Sequence, residues 1–407
     1  MSRNNGLDAT ARNRPLSHSV LEMIWRHRRI SRADIARQTG LARSTVSEVV
    51  SDLLETELVA EGGDGPSRGG RRPIMLEFND QAHVILGVDM GSTHVSAVLT
   101  DLRGNELAWE HEEHPVRTDP EGTGVLIMRL CNACLSGSEG ARKRLLGVGV
   151  AVPSPVDPNR PKQVSDVLLP HWSGHGVLEH LQMSYGVPVL VDNDANIGTL
   201  AERWWGAGRG LDDFTYVKLG TGIGSGHMVR GEVYRGATGV AGEIGHMVID
   251  PEGNPCACGN RGCLETLVGT RALVARATAL AKESGGSVLQ DSTVTIDRIE
   301  DAALAGDAVA LRLVDEAAGH LSAAMAAILN LLNPSAIVLG GSLSRLGSLL
   351  LAPIRERVRT QTLVNSAAAA SILATELGPH ATARGAATLV LDEALKDPRM
   401  FPDLKDS

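Results

Sequence analysis

Aromatic residues are scarce: three Phe, three Tyr and five Trp amount to 3% of the 407 residues. Ala, Gly, Leu and Val dominate instead, a globular composition with aliphatic cores, and the length calls for two or three domains. Long apolar runs are missing too. The most apolar stretch, residues 321–341, is broken by Asn330, Asn333 and Pro334, so it reads as a buried helix and then a buried strand, not a membrane span. The N-terminus is polar, with Arg3, Arg12 and Arg14 and no apolar segment behind them, which argues against a signal peptide. Cysteine is too sparse for a disulfide framework: five in all, a usage that fits a reducing cytoplasm. Cys131 and Cys134, spaced i,i+3 on an apolar helical face, are expected in the core.

Net charge is −9 but uneven. Residues 1–73 carry 12 Arg against 9 acidic residues, leaving 27 basic and 39 acidic residues in the rest. A basic head on an acidic body is the asymmetry expected when only the head meets nucleic acid.

The organising stretch is residues 242–265, GEIGHMVIDPEGNPCACGNRGCLE. Cys256, Cys258 and Cys263 with His246 make a closed tetrahedral Zn²⁺ set, and the Gly and Pro between them allow tight turns. With no open coordination position the ion is structural, and it presents the flanking carboxylates Glu243 and Glu265 rigidly to a small polyhydroxylated ligand. Such sites contribute roughly 10 kcal/mol or more to local folding.

In the head, residues 19–25 have helical apolar spacing. Ser31 as N-cap with Asp34 three residues on opens a second helix, which Gly40 ends. A third follows over residues 41–54, with Val46, Val49, Val50, Leu53 and Leu54 buried and Arg43, Ser44, Thr45 and Ser47 outward. This is the helix-turn-helix layout, whose second helix enters the major groove. Residues 58–61 and 73–78 alternate like two strands flanking a loop with Arg68, Arg71 and Arg72, a wing suited to phosphates or a narrow minor groove.

From His83 the pattern turns to strands. One ends in Asp89-x-Gly91-x-Thr93, where Gly lets the backbone approach a phosphate, Thr offers a hydroxyl and Asp can reach a hydrated cation. A similar unit recurs at residues 214–229, around Gly220, Thr221 and Gly222. It leads into a strand, so it is not a dinucleotide fingerprint. Two such units suggest two related lobes facing across a cleft. Between them a buried strand, 187–191, runs into Asp192, Asn193 and Asp194 and a helix over 197–205, a cleft position in an open α/β sheet. Residues 336–342 form another buried strand ending in Gly340 and Gly341, where a flat base could lie.

The head, from Ile30 to Pro73, resembles the winged helix-turn-helix of the repressor branch of the ROK family (repressors, open reading frames, kinases). Residues 83–390 resemble the family's sugar-kinase body: the two phosphate motifs, residues 152–157, residues 193–196, the zinc segment and the Leu339-Gly340-Gly341 turn. The resemblance implies an α/β chain of a winged head and a two-lobed actin/hexokinase-like ATPase-fold body. It divides the chain into a DNA-binding domain at 1–80, a small lobe at 81–194 with 384–407, and a large lobe at 195–383. It also implies that Asn193, Asp194, Glu243, His246 and Glu265 hydrogen-bond sugar hydroxyls. His246 would then serve zinc and sugar together, and Asp194 would be the general base of a kinase using Mg²⁺-ATP.

Departures from the kinase pattern weaken that last role. Ser92 and His94 stand where kinases carry Gly and Lys, removing a permanent cation beside the phosphates. Ser154 replaces a Gly, and residues 168–172 (LLPHW) lack the usual sugar-contacting Asn. The expectation is a cytoplasmic, sugar-responsive repressor acting on double-stranded operator DNA as a homodimer or homotetramer. A sugar kinase with a DNA-binding head is the alternative.

Overall fold

The computed structural model describes residues 6–66, 72–160, 169–172, 176–284, 286–290, 293–363 and 370–402, with side chains from residue 16. Arg68 and Arg71 of the expected wing, and Leu168, lie outside them.

The head contains α1 (Gly6–His27), β1 (Arg29–Ser31), α2 (Arg32–Thr39), α3 (Arg43–Glu55), β2 (Val59–Asp64) and β3 (Ile74–Phe78). Ser31 caps α2 by accepting the Asp34 N–H at 3.1 Å. Gly40 ends it in the left-handed region, φ +72°, donating its N–H to the Ala36 carbonyl, a conformation glycine adopts without steric cost. α3 starts at Arg43, two residues later than its apolar pattern suggests, and Leu54 is only half-buried. The short β1 has no counterpart in the sequence reading. It pairs antiparallel with β3, giving the sheet order β1-β3-β2.

The body is two sheets of one topology. β4 (Val84–Met90), β5 (His94–Asp101), β6 (Glu106–Glu113), α4 (Pro120–Ser136), β7 (Leu145–Val152), α5 (Val177–Tyr185) and β8 (Val189–Asn193) come first, then α6 (Asp194–Trp205). β9 (Phe214–Leu219), β10 (Ile223–Val229), β11 (Glu232–Tyr234), α7 (Glu265–Val268), α8 (Thr270–Ser284), α9 (Ile296–Leu304), α10 (Ala308–Leu332), β12 (Ala336–Gly341), α11 (Ser348–Gln361), β13 (Ser371–Ala374) and α12 (Ala381–Lys396) follow. The sheet orders are β6-β5-β4-β7-β8 and β11-β10-β9-β12-β13. In each, an antiparallel three-strand meander continues into two parallel strands. The two strand–glycine–strand units of the sequence are therefore the openings of two equivalent halves.

Each half sends its last helix to the other half's sheet. α6 packs on β9 and β10, α12 packs on β4 and β7, and the two helices pack on each other. Glycines make this possible: a Cβ on Gly149 would lie 1.8 Å from the Ala386 carbonyl, and one on Gly226 would lie 2.5 Å from that of Ala195. Cys131 and Cys134 are fully buried on α4, as expected.

The head is no tethered appendage. One continuous cluster joins Val20, Leu21 and Ile24 of α1 and Val46 and Val50 of α3 to Ile85, Leu102, Val390 and Leu391 of the body. The Trp25 indole N–H donates to the Leu102 carbonyl at 2.9 Å, and its ring meets Trp204 edge-on at 4.9 Å between centroids. Arg103, 4.6 Å above the Trp25 ring, pairs with Asp80 at 2.7 Å.

One buried group sets an acid limit. His227 on β10 is 5% exposed, with Nδ1 2.9 Å from Thr215 Oγ1, and burial pushes it from 6.5 down to about 4. The fold holds it neutral, so stability is whole above pH 6.5 and falls as pH drops toward 4, by about 3 kcal/mol for this group. Melting curves across that range should show the loss, and His227→Gln should flatten it; an equal slope in both would remove His227 as the cause.

Candidate functional site

The two halves enclose a cleft of about 580 Å³. It gathers groups distant in sequence because the fold brings strand ends and helix starts together there. Asp89 and Thr93 come from the end of β4 and its turn, Asn193 and Asp194 from the junction of β8 and α6, Gly220 to Gly222 from the turn between β9 and β10, and Gly341 from the end of β12. Gly91, Glu243, His246 and Glu265 line it as well. Gly340 does not: a Cβ there would meet the Tyr216 hydroxyl at 2.4 Å.

Asn193 is the N-cap of α6, so the helix begins three residues earlier than its sequence suggests. Its Oδ1 accepts the N–H groups of Ala195 and Asn196 at 2.9 and 3.3 Å, and its Nδ2 donates to the Ser154 carbonyl at 3.2 Å. Much of its hydrogen-bonding capacity thus fixes the helix start. That cap aims Asp194 into the cleft. Buried Asp192 beneath it is held by Arg235 at 2.7 Å and by Asn196 at 2.9 Å.

Lys218 had no role in the sequence reading, and His94 was read there only as the loss of a permanent cation. Lys218, at the end of β9, donates to Asp194 Oδ2; a lysine in the otherwise apolar strand FTYVKL was the available signal. His94 places Nε2 3.3 Å from Asp89 Oδ2. Burial by itself favours neutral His94, but the hydrogen bond and charge of Asp89 outweigh it and raise His94 above its ordinary value. Glu243 is pushed up to about 7, first by burial and then by the carboxylates of Asp194 and Glu265.

His246, Cys256, Cys258 and Cys263 bring one ligand atom each within 4.8 Å of one another. Cys256 Sγ lies 3.5 Å from His246 Nδ1, and Cys258 Sγ lies 3.7 Å from Cys263 Sγ. A tetrahedron with bonds of about 2.0 Å to nitrogen and 2.3 Å to sulfur has edges of roughly 3.5–3.8 Å, so the set fits an ion of that size. Backbone bonds fold the loop around it: Cys256 N–H to Asn260 O at 2.8 Å, Ile249 N–H to Gly262 O at 2.8 Å and Leu264 N–H to Met247 O at 2.9 Å. With Nδ1 on the sulfur side, His246 turns Nε2 toward Glu243 Oε2, 3.8 Å away. α7 begins at Glu265, two residues past Cys263, so an ion there would fix both carboxylates.

In the head, Arg43, Ser44 and Ser47 are exposed on the first turns of α3, and Thr45 is half-buried. The N-cap is Ala42, without a side-chain cap, and no acidic residue occupies the first turn, which leaves a positive helix end open to phosphate. Arg29, Arg32 and Arg37 are spent on Glu77, Glu61 and Asp34. Arg43 and exposed Arg72 have no ion pair among the described residues.

A winged DNA-binding head joined to a two-lobed sugar-kinase-like body with a Cys₃His loop defines the class. The chain belongs to the ROK family, whose model matches residues 85–393, and the winged helix-turn-helix DNA-binding model matches residues 14–60. It is 32% identical to the putative xylose repressor of Caldicellulosiruptor sp. (strain Rt8B.4), over 94% of this chain and 96% of that one. It is 31% identical to the DNA-binding transcriptional dual regulator NagC of Escherichia coli (strain K12), over 92% and 91%. Among solved structures, a ROK family transcriptional regulator, homologous to the E. coli MLC protein, superposes with a TM-score of 0.80 at 24% identity, covering 97% of this chain and 99% of that one. A ROK family glucokinase from Streptomyces griseus, in complex with glucose and AMPPNP, gives 0.68 at 32% identity, covering 75% and 98%.

Stripping the Cys₃His loop with a chelator should lower the melting temperature and release one metal equivalent per chain, and Cys263→Ser should reproduce the loss. A chelator that leaves both metal content and melting unchanged would mean that these four residues hold no ion.

Proposed function

We propose that the chain is a sugar-responsive DNA-binding repressor of carbohydrate-metabolism genes, acting in the cytoplasm on double-stranded operator DNA. The observation that carries this reading is the path of α6. It begins at Asp194 in the cleft and ends at Trp204 and Trp205 against Trp25 of the head. Its 12 residues span about 18 Å, so a shift of the helix at the cleft is a shift at the head. A ligand acts through it only by binding one arrangement of the lobes better than another.

Asp194, Glu243, His246 and Glu265 are the acceptors and donors for sugar hydroxyls, with Asn193 holding the helix start among them. Zn²⁺ is the ion of the Cys₃His loop, and its chemistry is structural: it fixes His246 and Glu265. Arg43, Ser44, Thr45 and Ser47 meet the major groove, and Arg72 with the wing residues Arg68 and Arg71 meets phosphates. Two-fold operators require paired heads, hence a homodimer or homotetramer, with half-sites about one helical turn or a multiple apart. The division at residues 80, 194 and 383 follows the head, the start of α6 and the body of α12.

One observation favours a kinase: Asp194 and the Gly220–Gly222 turn line the same cleft, as a base and a phosphate loop would. ADP release with Mg²⁺-ATP and a sugar panel, abolished by Asp194→Ala, would establish that activity.

Gel shifts test the repressor. Arg43→Ala should weaken operator binding by about 1–3 kcal/mol. With xylose, glucose and N-acetylglucosamine as the panel, one sugar should change operator affinity, and Glu243→Ala should abolish the response while leaving sugar-free binding intact. Trp204→Ala should keep sugar binding by thermal shift yet uncouple it from DNA. A response that survives Glu243→Ala would place the ligand elsewhere.

A further inference from the structure

Lys218 brings an ammonium into the cleft from the end of β9, between two carboxylates. Its register neighbours are Gly224 on β10 and Gly340 on β12. Neither neighbour carries a side chain, and Lys218 lines the cleft. There the ammonium bonds Asp194 Oδ2. Asp89, the carboxylate at the end of the equivalent strand in the other half, lines the same cleft; it is 5% exposed, and its Oδ1 has no hydrogen-bond partner among the described residues. Burial opposes charge on Lys218, but Asp194 and Asp89 outweigh it and keep the ammonium charged. Lys218 in turn helps to hold Asp89 ionised, against burial and beside His94.

These groups answer the demand that a divalent cation meets in a phosphoryl-transfer site. Asp89 is the carboxylate placed to reach a hydrated cation, and Asp194 the one placed to take a hydroxyl proton. Here Lys218 of the second half is bonded to Asp194 and acts on Asp89 through its charge, while Asp89 is contacted by His94, which stands on the first phosphate turn instead of a permanent charge. A second cation brought between the same carboxylates would meet a buried ammonium of like sign. The residues present therefore do not fit Mg²⁺ there.

We propose that Lys218 is the specificity-determining residue of the cleft: its ammonium takes the place of the divalent cation, so the cleft binds its ligand without Mg²⁺ and assembles no Mg²⁺-nucleotide beside Asp89. Asp194 keeps Oδ1 for a ligand hydroxyl while Oδ2 is tied to Lys218. This rests on reading the cleft as a ligand site, but its test needs no ligand and no DNA.

The test is a titration of Mn²⁺ alone into full-length protein whose Cys₃His loop is already loaded, with free Mn²⁺ read by its electron paramagnetic resonance signal. The wild type should retain no sub-millimolar Mn²⁺. Lys218→Met should gain one site, at least about tenfold tighter because the repelling charge is gone, and Asp89→Asn in that background should abolish it. Lys218→Arg, which keeps the charge, should exclude Mn²⁺ like the wild type. The proposal is overturned if the wild type binds one Mn²⁺ that Asp89→Asn removes, a comparison that stands even where Lys218→Met does not fold. It is also overturned if folded Lys218→Met, checked by its melting curve, binds Mn²⁺ no better than the wild type. Loss of operator binding or of a sugar response would instead count against the repressor reading and leave these outcomes unchanged.

Discussion

The exchange of helices between the two halves is the constraint on which the cleft depends. α6 and α12 lie against each other and against opposite sheets, at distances only glycine permits: at Gly149 and Gly226 a methyl group would occupy the space of a carbonyl. Neither half can complete its own layers alone. The cleft residues thus sit at the ends of elements whose other ends are locked in a shared interior. Asp194 is positioned by the Asn193 cap, by the burial of α6 and by the Asp192–Arg235 pair beneath it, not by a flexible loop.

Such a cleft carries an electrostatic problem, because Asp89, Asp194, Glu243 and Glu265 converge on it. Like charges held in partly dry surroundings resist ionisation, and three of the four are handled in different ways. Asp194 and Asp89 are compensated by Lys218 and His94, whereas Glu243 is pushed toward neutrality. A pocket with one carboxyl near the point of protonation and another fully ionised offers both a hydrogen donor and acceptors. That suits hydroxyl groups, which need both.

How much was legible in the sequence followed from how local each feature is. The metal set fits because its ligands are near in sequence and joined by turns. The head was readable from Ser31, Gly40 and the apolar stripe of α3, each a signal within a few residues. The strand-end glycines marked the cleft because a turn's composition reports its own backbone. The start of α6 was misplaced because Asn193 read as a ligand group before it read as a cap. β1 was missed because three residues carry no periodicity. Lys218 was passed over because its partner lies 24 residues away on an element of the other half. The Trp25–Trp204 contact joins residues whose own neighbourhoods give no hint of each other.

That last contact bears on how such a chain can change over generations. A head that shares its hydrophobic interior with the body, with Arg103 stacked on Trp25 and the indole bonded to Leu102, is not a cassette. Separating residues 1–80 from the body would expose Trp25 on one side and Trp204 and Trp205 on the other. New operator preferences are therefore reached by changing the few outward residues of α3, and new effectors by changing the cleft, while the seam between them stays closed to exchange.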